Sequence, residues 1–133
     1  IYRRQIERED NCTGRSFVTD RGTLDAFAFH PEAMTAVGTT IEREYGRYDA
    51  VIHLGSAAAL GEAYYRTDTV RRESPDEAMA IERAIAGVWA AHRGYRYIPA
   101  RADYVEKFSE FALMIRSLCD PLALDNLSTA ASL

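Results

Sequence analysis

Lysine is all but missing from this chain. Lys107 is the only one, and arginine supplies the rest of the sixteen basic residues. No GxxxxGK[ST] loop is present, and Lys107 sits mid-helix in DYVEKF, so no lysine is placed to cradle a nucleotide phosphate. The two cysteines, Cys12 and Cys119, lack CxxC or Cys/His spacing, which excludes zinc and dithiol motifs. They read as small buried hydrophobes in a reducing cytoplasm. His30, His53 and His92 have no metal-ligand spacing, and His53, inside an apolar run, reads as a satisfied core histidine. GxSxG and HExxH are absent, leaving Ser16 and Ser109 without a base partner. No apolar run reaches membrane-spanning length. The net charge of -4 argues against a sequence-independent nucleic-acid binder, which needs a basic surface to displace counterions.

What is present suits one globular domain. A chain of 133 residues, nearly half of them apolar, can bury a core. Arginine in place of lysine, with abundant alanine, points to a bacterial coding sequence rich in G and C. No signal-peptide pattern opens the chain, and Ile1 to Asp10 reads as the middle of a charged helix, so the natural start is expected upstream.

Hydrophobic spacing predicts the elements. Residues 1–13 form a charged helix stopped at Gly14, and Ser16 to Thr19 (SFVT) a short buried strand. Residues 23–29 read as a loop or short helix. Met34, Val37, Ile41 and Tyr45 share one face of a helix over about 32–45, closed by Gly46. Tyr48 to Leu54 is the clearest strand, apolar enough for a central parallel position. A short helix ends near Tyr65, and the polar segment Arg66 to Glu73 follows. Ser74-Pro75-Asp76-Glu77 is a capping box that opens a helix with Ala78, Ile81, Ile85, Val88 and His92 on one face. Tyr95 to Ile98 reads as a strand. Asp103 caps a last helix with Tyr104, Phe108, Phe111, Ile115 and Leu118 as its buried stripe, and residues 119–133 read as a flexible tail. This alternation implies an α/β fold, a parallel sheet flanked by helices.

Ligands of such sheets gather at the carboxyl ends of strands. Asp20 is the one carboxylate at such an end, where it can hold magnesium while Arg21 reaches a phosphate oxygen and Asp25 adds a second carboxylate. Alternatively, Asp20 caps the following turn and Arg21 pairs with a surface acid. Arg66, Arg71 and Arg72 bracket Asp68 and Glu73 between two helices, and arginines so placed can close over a transferring phosphoryl group. A plain solvated charge run is the competing interpretation. Tyr64-Tyr65 reads as packing.

The segment TDRGTLDAFAF resembles the DRGxxDxxAY segment of bacterial AAA-like ATPase/kinase domains, related to NadR-type kinase domains and more distantly to thymidylate kinases. YDAVIHL, AYYRTDTVRRESPDEA and the helix ending in VWAAH follow that family's order of strand, arginine-bearing lid, capped helix and final strand. The likeness spans roughly residues 1–118, expected to form one partial domain. It implies a three-layer P-loop NTPase-like fold that uses ATP and Mg2+, its first strand and P-loop missing from these residues. Asp20 then matches a metal-side or base-like acid and Arg21 a phosphate-contacting arginine. Arg71 or Arg72 matches the lid arginine before Glu73, with Arg66 and Asp25 near substrate. Phe29 replaces a frequent tyrosine, and the lid is one residue shorter around Thr69.

The function these features favour is phosphoryl transfer from ATP to a small nucleoside-like acceptor in the complete protein. The alternatives are a non-catalytic nucleotide- or phosphoinositide-binding module and an inactive product that binds nothing. Loss of a first strand is expected to leave an exposed sheet edge that drives self-association.

Overall fold

A computed structural model describes residues 1–65 and 70–120. Helix α1 spans Tyr2–Asp10 and turns off before Gly14. A 3-10 helix at Thr23–Phe27 is followed by two short helices, α2 at Ala33–Val37 and α3 at Ile41–Tyr45. The central unit is strand β1 (Val51–Leu54), a 3-10 turn at Ala57–Leu60, helix α4 (Pro75–Trp89) and strand β2 (Tyr95–Ile98). Helix α5 (Tyr104–Leu118) closes the described chain. None of the described helices is long and apolar enough to cross a membrane.

β1 and β2 pair in parallel, with Val51 opposite Tyr95 and Leu54 opposite Ile98. Two strands are the whole sheet among the described residues. The pleat sends Val51, His53, Tyr95 and Tyr97 toward one face, where α4 packs, and Ile52, Leu54, Arg96 and Ile98 toward the other. On that second face Arg96 and Ile98 line an open groove with Leu113 and Met114 of α5. The architecture is therefore α/β, with a small parallel sheet between helices.

The core lies at one end of this unit. Leu24 and Phe27 from the 3-10 helix meet Val88 and Trp89 from the end of α4, ringed by Tyr2, Met34, Ile41, Tyr45, Tyr48, Val51, Ile85 and Tyr95. Each fully buried side chain of this size contributes about 1.5–3 kcal/mol through removal from water. The capping box of α4 is present in full: Glu77 N–H donates to Ser74 Oγ at 3.2 Å, and Ser74 N–H donates to Glu77 Oε2 at 2.7 Å. Asp103 caps α5 through the Val105 N–H at 2.8 Å.

Four sequence expectations are corrected. Residues 16–19 form no strand, and Phe17 and Val18 are exposed. Apolar, β-branched residues favour a strand, but no strand among the described residues pairs with this segment. The helix expected over 32–45 is two helices, because Gly38 adopts φ 75° and Thr40 starts a new helix by accepting from Arg43 N–H. A left-handed turn of this kind favours glycine. On α5, Tyr104 and Phe108 are exposed, and Lys107, Glu110, Phe111, Met114, Ile115 and Leu118 are its half-buried side chains. Cys12 is half-buried and Cys119 exposed, so neither is a core hydrophobe.

Candidate functional site

The loop carrying Asp20 and Arg21 is held from two sides. On the α1 side, Gln5 Nε2 lies 2.8 Å from the Arg21 carbonyl oxygen and 2.9 Å from Thr19 Oγ1, and the Thr19 hydroxyl donates to the same carbonyl at 3.0 Å. Beyond Gly22, the Thr23 N–H donates to the Tyr48 hydroxyl at 2.8 Å. That hydroxyl in turn donates to Glu9 Oε1 at 2.7 Å. Glu9 is only 5% exposed, and its other oxygen accepts from Arg47 Nε and Nη2 at 3.2 and 3.1 Å. Burial holds the Tyr48 phenol well above its ordinary range, so it stays a neutral donor.

On the core side, Trp89 Nε1–H donates to Asp25 Oδ1 at 2.6 Å. Gly22 lies flat against the Trp89 ring, where a Cβ would overlap the indole carbons. Arg21 Nη1 sits 3.5 Å from Asp25 Oδ2, with the arginine side chain 66% exposed. The Asp20 carboxylate is exposed and has no hydrogen bond or ion pair among the described residues. Both neighbours of Gly22 are thus pinned, while the acid and the base ahead of it face solvent.

The arginine-rich segment is partly described. Arg66, with Asp68 and Thr69, lies outside the described residues. The Arg71 guanidinium lies 5.1 Å from the centroid of the buried Tyr65 ring, a cation–π contact. Arg72 is exposed just ahead of the α4 cap. Arg21 and Asp25 are brought together by an ion pair, and Arg72 has no hydrogen bond or ion pair to Asp20, Arg21 or Asp25.

The carboxyl edge of the sheet carries a second polar cluster that sequence reasoning missed. Glu82 of α4 accepts from the Ser56 N–H at 2.7 Å and from the Tyr97 hydroxyl at 2.9 Å. Lys107 Nζ donates to the Gly55 carbonyl at 2.6 Å, so the sole lysine caps the end of β1. The signal was there in the spacing: Ala78, Glu82, Ile85 and Trp89 lie along one inward stripe of α4. Asp25, by contrast, bonds the end of α4 that leads into β2, about 10 Å further along the helix axis than Glu82 at 1.5 Å per residue. Asp20 does not end a strand. His53 is satisfied as expected, its Nδ1 2.7 Å from the Tyr95 hydroxyl, and burial lowers its pKa so that it is neutral.

The donor set at Asp20 suits one position of a magnesium shell. Mg2+ takes hard oxygen ligands and is commonly held by one or two carboxylates together with substrate phosphates and water. A single free carboxylate meets that requirement only in company with phosphate oxygens. No group of three acidic, histidine or cysteine side chains able to hold a metal occurs among the described residues.

A family model described as an AAA domain matches residues 1–107. The chain belongs to this family, and is a nucleotide-binding domain of the P-loop NTPase type. No curated protein and no solved structure matches it.

Proposed function

We propose that this domain binds ATP with Mg2+ and, in the complete polypeptide, transfers a phosphoryl group to a small nucleoside-like acceptor. The free Asp20 carboxylate, on a loop clamped on both sides of Gly22 in a chain of nucleotide-binding family, is the observation that carries this. Asp20 holds the metal side of the site, and bound Mg2+ would neutralise the charge that develops on the transferring phosphoryl group. Arg21, steadied by Asp25, reaches a phosphate oxygen, and Arg71 and Arg72 serve as the lid arginines, with Arg66, outside the described residues, as a further substrate contact. These 133 residues contain no GxxxxGK[ST] loop, so this proposal requires a phosphate cradle from elsewhere in the complete polypeptide.

The second interpretation is a module that binds nucleotide or phosphoinositide without chemistry. Turnover separates the two. ATP hydrolysis or transfer across a panel of nucleosides, lost in Asp20→Asn while nucleotide binding persists, supports the kinase. Binding without turnover for every acceptor refutes it.

A further inference from the structure

We infer that Gln5 and Tyr48 are positioning residues for the Asp20–Arg21 loop, with Glu9 as their shared anchor. This rests on the proposal that Asp20 faces Mg2+ and nucleotide.

The loop before Thr23 has no strand partner among the described residues, so its backbone polar groups depend on side chains from elsewhere. Two are met in that way. The Arg21 carbonyl accepts from Gln5 beside the loop's own Thr19 hydroxyl, and the Thr23 N–H donates to Tyr48. These are the two residues that flank Gly22, whose lack of a side chain would otherwise leave the chain free to pivot. Gln5 and Tyr48 are oriented in turn by one atom, Glu9 Oε1, at 2.9 and 2.7 Å. Arg47 neutralises the other oxygen of that buried carboxylate. A chain of directional bonds therefore runs from Arg47 through Glu9 to both sides of the glycine, and fixes where Asp20 and Arg21 point.

Gln5 is the member best suited to separate positioning from folding. It is half-buried at the rim, belongs to no part of the apolar core, and its bond to Arg21 is solvent-exposed. Its loss should leave the core intact and release the loop.

The test is Gln5→Met, which keeps the length and removes the donor, in the complete polypeptide beside wild type and Asp20→Asn. The first measurement is residue-resolved amide exchange without nucleotide. Exchange at Gly22 and Thr23 should quicken about fivefold, the equivalent of one lost hydrogen bond, while amides of α4 keep wild-type rates. The second is Mg2+ titration of ATP binding, where the half-saturating Mg2+ should rise about tenfold to a hundredfold. Unchanged exchange at Gly22 and Thr23 overturns the inference. Faster exchange throughout α4 also overturns it, since Gln5 would then be supporting the fold as a whole. Quickened exchange at the loop alone, in a wild type whose ATP binding ignores Mg2+, refutes the metal site and with it the functional half of the inference, yet leaves the loop-ordering bonds supported.

Discussion

Trp89 and Asp25 are joined by a 2.6 Å hydrogen bond from indole to carboxylate, which ties the arginine-bearing loop to the last residue of α4. The indole is 3% exposed, so its N–H has no access to water as a substitute partner. Asp25→Leu should therefore lower stability by about 1–3 kcal/mol, the cost of a buried donor left unpaired. Asp25→Asn, which retains an acceptor, should lose less. Urea unfolding followed by the fluorescence of Trp89, the only tryptophan, measures both.

Gly22 meets the same ring. Gly22→Ala forces a methyl into the Trp89 indole and should cost about 1–3 kcal/mol as overpacking. A Trp89→Leu background vacates that space, so the added alanine should cost measurably less there. Equal costs in both backgrounds would show that the glycine is needed for another reason.

Glu44 makes acid sensitivity a property of the core. Burial pushes its carboxyl up, but hydrogen bonds from Thr39 and Tyr2, with Thr23 and Arg47 nearby, outweigh this and leave its pKa below the ordinary 4.5. A carboxylate depressed in the folded state stabilises fully above its unfolded pKa and loses that contribution as pH falls through the folded value. Wild type should lose stability below about pH 4.5 more steeply than Glu44→Gln, whose lower stability should depend less on pH. Denaturant melts across that range read the slope directly.

Both outer edges of the two-stranded sheet are unpaired among the described residues, and Phe17 and Val18 stand exposed on a segment outside it. Unprotected edges recruit further strands. The isolated 133-residue chain should self-associate, with a sedimentation coefficient that rises with concentration. A monodisperse monomer that melts cooperatively would contradict this.

How far the fold could be read from sequence depended on where each signal came from. Ser74, Glu77 and Asp103 are local caps that act within one turn, and the structure forms each as read. Tyr95 to Ile98 was legible for the same reason, a short apolar alternation between turn residues. The SFVT segment failed because a strand needs a partner that lies elsewhere in the chain. The 32–45 helix failed because periodicity does not see the left-handed turn at Gly38. At the candidate site, Asp20, Arg21 and Asp25 were legible as a cluster in sequence, and Arg21 and Asp25 do pair. Gln5, Glu9 and Tyr48 were not, because a charged helix reads as surface until the structure shows Glu9 buried under the loop. The AAA-domain match supports the coarse identity, nucleotide-binding and P-loop-like, that the DRG segment and lid order suggested.

The most direct test of the account is calorimetric titration of ATP into the complete polypeptide, with and without Mg2+, for wild type and Asp20→Asn. Wild type should bind ATP more tightly when Mg2+ is present, and Asp20→Asn should keep the metal-free affinity while losing the gain. A wild type that does not bind ATP, or an Asp20→Asn variant with the full magnesium effect, would contradict it.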